Sequence, residues 1–88
     1  MTKLSVVIPA YMKENRVAAC LQSVLGQTLR DIEIIVVWRK GTDKTEEIIK
    51  SFSNSRLRLI EQTEKTGVGG AREIGVQAST GEYIGFVD

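Results

Sequence analysis

The side chains best suited to chemistry follow apolar runs. Asp88 comes directly after Tyr83-Ile84-Gly85-Phe86-Val87, a run that predicts a buried strand. A carboxylate at the carboxyl end of such a strand stands where an open α/β sheet places its ligands. Hard cations such as Mg²⁺ or Mn²⁺ take carboxylate oxygens and bridge phosphates, so Asp88 is a candidate metal and phosphate ligand. As a plain strand-end carboxylate it would only cap a following loop. Arg72 sits behind Gly67-Val68-Gly69-Gly70-Ala71. Glycines ahead of a helix let backbone N–H groups approach an anion at the helix start. The same glycines also suit a tight turn with close helix packing, and the dinucleotide fingerprint follows a first strand rather than a third. Arg72 moves the balance toward an anion, because a cation in the first turn opposes the helix dipole. Tyr11, after Pro9-Ala10, is placed either to stack on a base or to pack against the sheet.

The same inventory excludes other chemistries. With no histidine and a single cysteine, Cys20, these residues hold neither a Ser-His-Asp triad, nor a His/Cys zinc site, nor an internal disulfide. Cys20 shares a helical face with Val17, Leu21, Val24 and Leu25 and reads as a packed thiol, which fits a reducing, cytoplasmic location. A net charge of +1 provides no field to attract nucleic acid or anionic lipid, so nucleic acid is not an expected partner. The longest apolar runs fall far short of the ~20 residues of a membrane helix, so no membrane segment is expected. Met1-Thr2-Lys3 leads straight into a strand and is no signal peptide.

Positioning the candidate residues falls to an alternating series of elements. Residues 4–10 are apolar and β-branched and predict a central strand. A helix is expected over 15–25, with Asn15 as N-cap and Gly26 just past its end. Residues 32–38 predict a second strand, apolar on both faces beyond Glu33, as parallel strands between helix layers are. Asp43 is expected to start a second helix with Glu46 as its capping-box partner and Ile48, Ile49 and Phe52 as its buried stripe. Residues 57–62 alternate, and Arg56 and Arg58 suit a sheet edge. A glycine loop over 67–70 leads to a third helix carrying Ala71, Ile74 and Ala78, and a fourth strand follows over 82–88. This βαβαβαβ string predicts a three-layer αβα sandwich, with a parallel sheet of order 3-2-1-4 and right-handed crossovers. The carboxyl edge of that sheet gathers Pro9 to Tyr11, residues 38–44, residues 62–72 and Asp88.

Read in order, several segments resemble family 2 of the inverting GT-A glycosyltransferases. They are Ser5-Val6-Val7-Ile8-Pro9-Ala10-Tyr11 with Glu14, the run from Cys20 to Thr28, and Asp31-Ile32-Glu33-Ile34-Ile35-Val36-Val37. Thr42-Asp43-Lys44-Thr45, Gly69-Gly70-Ala71-Arg72-Glu73-Ile74-Gly75 and the run from Thr80 to Asp88 complete the set. The resemblance implies that residues 1–88 are the amino-terminal, Rossmann-like half of a GT-A domain, truncated, which binds a nucleotide-sugar, commonly a UDP-sugar. Pro9, Tyr11 and Glu14 would then line the nucleoside pocket and Arg72 would approach the nucleotide. Asp88 would open an Asp-x-Asp motif holding the diphosphate through Mg²⁺ or Mn²⁺. Three departures stand out. Trp38-Arg39-Lys40-Gly41 occupies the place of the usual Asp-Asp-Gly-Ser, Met12 stands where asparagine is usual, and Glu73 replaces an asparagine. Trp38 could stack on a base but cannot accept its N–H, whereas Arg39 and Lys40 could meet phosphate. The family's catalytic base lies beyond position 88, so the chain is expected to bind donor without turnover. A non-catalytic α/β module that lost its ligand is the alternative. A nucleotidyltransferase ranks last, since its glycine-rich loop would follow the first strand.

Overall fold

A computed structural model describes residues 2–26, 31–64 and 67–87. The elements run β1 (Leu4–Ala10), α1 (Val17–Leu25), β2 (Ile32–Trp38), α2 (Thr45–Ser51), β3 (Leu57–Glu61), α3 (Gly67–Ala78) and β4 (Tyr83–Phe86). The sheet has the expected order, β3-β2-β1-β4, and every pairing is parallel. β1 and β2 pair from Leu4↔Ile32 to Ala10↔Trp38.

Strand alternation divides the core in two. Val6, Ile8 and Ala10 of β1 join Ile34, Val36 and Trp38 of β2 beneath Val17, Leu21 and Val24 of α1 and Ile49 of α2. Val7, Ile35 and Val37 point the other way, toward Ala71 and Ile74 of α3. All seven residues of β2 are buried, as two-faced coverage requires. α3 lies close over β1 because Gly75 has no side chain: a Cβ there would run into Val7. The half-buried Cys20 packs against the α1–α2 core, and burial pushes its thiol pKa up, with Lys13 pulling the other way. Among the described residues no helix is long and apolar enough to cross a membrane.

The element ends differ from expectation, each for a physical reason. α1 begins after Arg16, which makes no side-chain cap, so Asn15 does not cap it. Gly26 adopts φ −80°, an ordinary conformation rather than the left-handed one. α2 begins at Thr45; Asp43 serves it from further out, accepting the Thr45 N–H at 3.1 Å. Among the described glycines only Gly67, at φ 72°, needs the left-handed region, and the expected glycine loop is instead the first turn of α3. The last apolar run is an edge strand and not a buried one. α3 packs on β1 and β2, leaving Tyr83 61% and Phe86 47% exposed on β4.

At the amino end of the sheet, Glu33 joins three distant segments to its own strand. Its Oε2 accepts from the Ser5 hydroxyl (2.6 Å), the Thr80 N–H (2.6 Å) and the Thr80 hydroxyl (2.9 Å), and its Oε1 accepts from Arg58 (3.1 Å). Arg58 also donates to the Ala78 carbonyl (2.7 Å), and the Gly81 N–H donates to Ser5 Oγ (2.9 Å). Burial alone would raise the Glu33 pKa, but the donors from Ser5, Thr80 and Arg58 outweigh it and hold the carboxyl down at about 2.

Candidate functional site

At the opposite end, the carboxyl edge, β1 and β2 finish beside the start of α3. Between them lies a cleft of about 260 Å³. Its floor is Pro9 and Ala10 from β1 and Val37 from β2, and Gly67, Val68, Ala71 and Arg72 of α3 form one wall. Tyr11, Lys13 and Arg39 form the other wall, with Gln62 between the two. The volume sits just under the ~300 Å³ at which small-molecule pockets begin, so it suits one part of a ligand. Beyond Tyr11 and Arg39 it gives onto a shallower region lined by Lys40, Gly41, Thr42, Glu61 and Thr63.

The lining is donor-rich. Lys13, Arg39 and Arg72 contribute three cations, and among the described residues no carboxylate lines the cleft itself. Lys and Arg have no acceptor, so the side-chain charge favours a ligand rich in anionic oxygen. The Arg39 guanidinium lies 3.9 Å from the centre of the Tyr11 ring, close enough to stack. Arg39 is fixed at its backbone too, where its N–H donates to the Ala10 carbonyl at 3.1 Å. Gln62 is buried; its N–H donates to the Trp38 carbonyl (2.7 Å) and its side-chain amide to the Gly67 carbonyl (3.1 Å), which ties the end of β3 to the start of α3.

The wall carrying Tyr11 and Lys13 is braced from α2. Met12 holds φ 53°, a rare conformation for a residue with a side chain. The next two amides are both engaged: Lys13 N–H donates to Thr45 Oγ1 at 2.7 Å and Glu14 N–H to Asp43 Oδ2 at 3.1 Å. The Thr45 hydroxyl donates in turn to Asp43 Oδ2 at 2.9 Å. Desolvation would raise the Asp43 pKa, but the bonds from the Thr45 hydroxyl, the Thr45 N–H and the Glu14 N–H prevail and lower it.

Of the residues expected at the site, Pro9, Tyr11 and Arg72 line the cleft together. Glu14 does not; its side chain is exposed and its backbone serves Asp43. Trp38 does not either. It is 6% exposed, packed with Val6, Ile8 and Ile49 on the far face, and Lys50 Nζ sits 4.9 Å from its ring centre. A base cannot reach a ring committed to that core. Asp88 lies outside the described residues, among which no three His, Cys, Asp or Glu side chains converge to hold a metal. Arg39, offered to phosphate by the sequence, lines the cleft, and Gln62, placed only within an edge segment, does too; Lys13 was not foreseen. Alternation supports Arg39, since Val37 faces the cleft and position 39 shares its parity. Nothing in the sequence announces the left-handed Met12 that brings Lys13 round.

The family model described as glycosyl transferase family 2 matches residues 5–88. The chain belongs to glycosyl transferase family 2. It is 42% identical to glycosyltransferase GlyA of Streptococcus pneumoniae, over 98% of this chain and 12% of that protein. It is 35% identical to WfaP of Escherichia coli, a UDP-Glc:alpha-D-GlcNAc-diphosphoundecaprenol beta-1,3-glucosyltransferase, over 100% of this chain and 35% of that one. The crystal structure of TarS from S. aureus superposes with a TM-score of 0.89 at 27% identity, covering 99% of this chain and 16% of TarS. The sheet of order 3-2-1-4 is thus the GT-A, Rossmann-like arrangement. The chain spans between 12% and 35% of the length of these curated relatives.

Proposed function

We propose that residues 1–88 form the nucleotide-binding part of an inverting glycosyltransferase domain and that the cleft receives the nucleotide of a sugar donor. One observation carries this reading: at the ligand edge of the sheet, an aromatic wall stacked by Arg39 meets a lining that carries Lys13, Arg39 and Arg72 and, among the described residues, only cationic side-chain charge. Tyr11 offers its ring to a base, and Lys13, Arg39 and Arg72 neutralise phosphate. A UDP-linked donor is the first choice because WfaP, 35% identical, is named for UDP-Glc. The divalent cation of the proposal, Mg²⁺ or Mn²⁺, would meet the Asp88 carboxylate; the described residues form no cation site by themselves. Transfer also needs a general base within hydrogen-bond reach of an acceptor hydroxyl; the sequence has no histidine, and among the described residues no carboxylate lines this cleft. These residues would therefore bind and orient a donor without turning it over. A cytoplasmic location belongs to the same proposal, supported by the free, half-buried thiol of Cys20.

Titration of the chain with UDP and Mn²⁺, read from backbone amides, tests this. Tyr11, Lys13, Arg39 and the segment from Gly67 to Arg72 should shift, with a dissociation constant of about 1 mM, equivalent to about −4 kcal/mol. Shifts confined to distant residues would leave the second reading, an α/β module that kept the fold and lost the donor. Burial of Trp38 favours that second reading, since it removes one aromatic surface from the base.

A further inference from the structure

We propose that Asp43 and Thr45 are positioning residues for the cleft: they hold the loop after β1 in the one conformation that turns both Tyr11 and Lys13 into it. The inference rests on the donor-site reading only for what the cleft contains. Residues two apart share a side only while the backbone between them stays extended. Met12, between Tyr11 and Lys13, takes φ 53°, so extended register does not carry both side chains into the cleft and the loop's own conformation must. A residue with a Cβ stays in the left-handed region only when its surroundings over-determine it.

The surroundings that do so come largely from the start of α2. The two amides that follow Met12 are captured in succession, by Thr45 Oγ1 at 2.7 Å and by Asp43 Oδ2 at 3.1 Å. Thr45 is buried, and its hydroxyl is oriented as an acceptor for Lys13 because its own proton goes to Asp43 at 2.9 Å. Asp43 is steadied in turn by the Thr45 N–H at 3.1 Å. Lys13 is also held at its carbonyl, which accepts the N–H groups of Arg16 and Val17, both at 2.9 Å. Both carboxylate oxygens of Asp43 are thereby occupied, so its role is to orient the loop rather than to touch a ligand. The side chains of Asp43 and Thr45 are absent from the cleft lining, while the two residues they place are part of it.

The test compares Thr45→Val, Asp43→Asn and Thr45→Ser in the 88-residue chain, with Glu33→Gln as a control that weakens the remote end of the sheet. Without nucleotide, Thr45→Val and Asp43→Asn should move the Tyr11 ring signals and raise amide exchange at Lys13 and Glu14 by about tenfold or more. Thr45→Ser, which keeps the hydroxyl, should restore both. With UDP and Mn²⁺, Thr45→Val should bind about tenfold more weakly. Glu33→Gln should lower the melting temperature and leave UDP affinity unchanged. Unaltered Tyr11 and Lys13 signals in both clamp variants would overturn the proposal. So would a loss of affinity in Glu33→Gln equal to that in Thr45→Val at matched melting temperature, because the effect would then be one of stability alone. If Thr45→Val does not fold, Asp43→Asn, which keeps the threonine and one acceptor oxygen, decides. If the unaltered chain binds no UDP, the donor reading fails while the loop signals still judge the clamp.

Discussion

Arg39 and Trp38 are neighbours with opposite fates, and the contrast separates binding from folding. Strand parity sends Trp38 to the α1–α2 core and Arg39 to the cleft. Trp38→Phe should therefore cost about 1–3 kcal/mol of stability by leaving space in a packed core, with UDP affinity unchanged. Urea unfolding and the amide titration check the two halves. Arg39→Ala and Arg72→Ala should each leave stability within about 0.5 kcal/mol and weaken UDP binding about tenfold, more at low salt than at high. The candidate site was legible in part. Pro9, Tyr11 and Arg72 follow from strand ends and a helix start, which sequence patterns mark. Trp38 was misplaced because its chemistry as an aromatic was weighed without the parity of β2. Lys13 depends on a backbone conformation at Met12 that no residue type there signals.

At the scale of elements, α3 shows how one helix serves packing and binding. Its Ala71 is buried against the sheet while Arg72, next along, lines the cleft. Two glycines of this helix should respond oppositely to alanine. At Gly75 the new Cβ would collide with Val7, a stiff and fully buried side chain, and the substitution should destabilise by about 1–3 kcal/mol. At Gly69 nothing lies within 4 Å of the added Cβ, and better helix propensity should stabilise by up to about 1 kcal/mol. Thermal unfolding of the pair tests the packing of α3 on β1. Element types and sheet order were readable because hydrophobic periodicity and the charges at Arg56 and Arg58 report burial directly. The helix starts were not. Asp43 serves the start of α2 from two residues ahead of Thr45 while its other oxygen is drawn to the Glu14 N–H in the loop after β1, a shared duty that local capping patterns do not include.

For the molecule as a whole, the two ends of the sheet divide the labour: ligand chemistry at one, cohesion at the other. Glu33 makes cohesion depend on pH. Its carboxyl titrates at about 2 in the folded chain against an ordinary 4.5, so between these values the unfolded state binds more protons. The stabilisation from Glu33 is complete above about pH 4.5 and is lost as pH falls toward 2. It should amount to about 2 kcal/mol, as charge-assisted hydrogen bonds to a buried group do. Glu33→Gln should flatten that limb of the stability curve, measured by denaturant midpoints from pH 6 to pH 2.

The Glu33 junction also bears on the order of events in folding. Its partners lie 28, 25 and 47 positions away along the chain, and the Gly81–Ser5 bond beside it spans 76. The Ser5 and Arg58 contacts span no more than β1–β2 pairing does, but the Thr80 and Gly81 contacts span more and bear the larger loop-closure cost. The junction should therefore be completed late, after the rate-limiting barrier on the way in, and released before it on the way out. Stopped-flow measurements should find that Glu33→Gln accelerates unfolding while the refolding rate barely moves. Equal slowing of refolding would instead place this junction inside the folding nucleus.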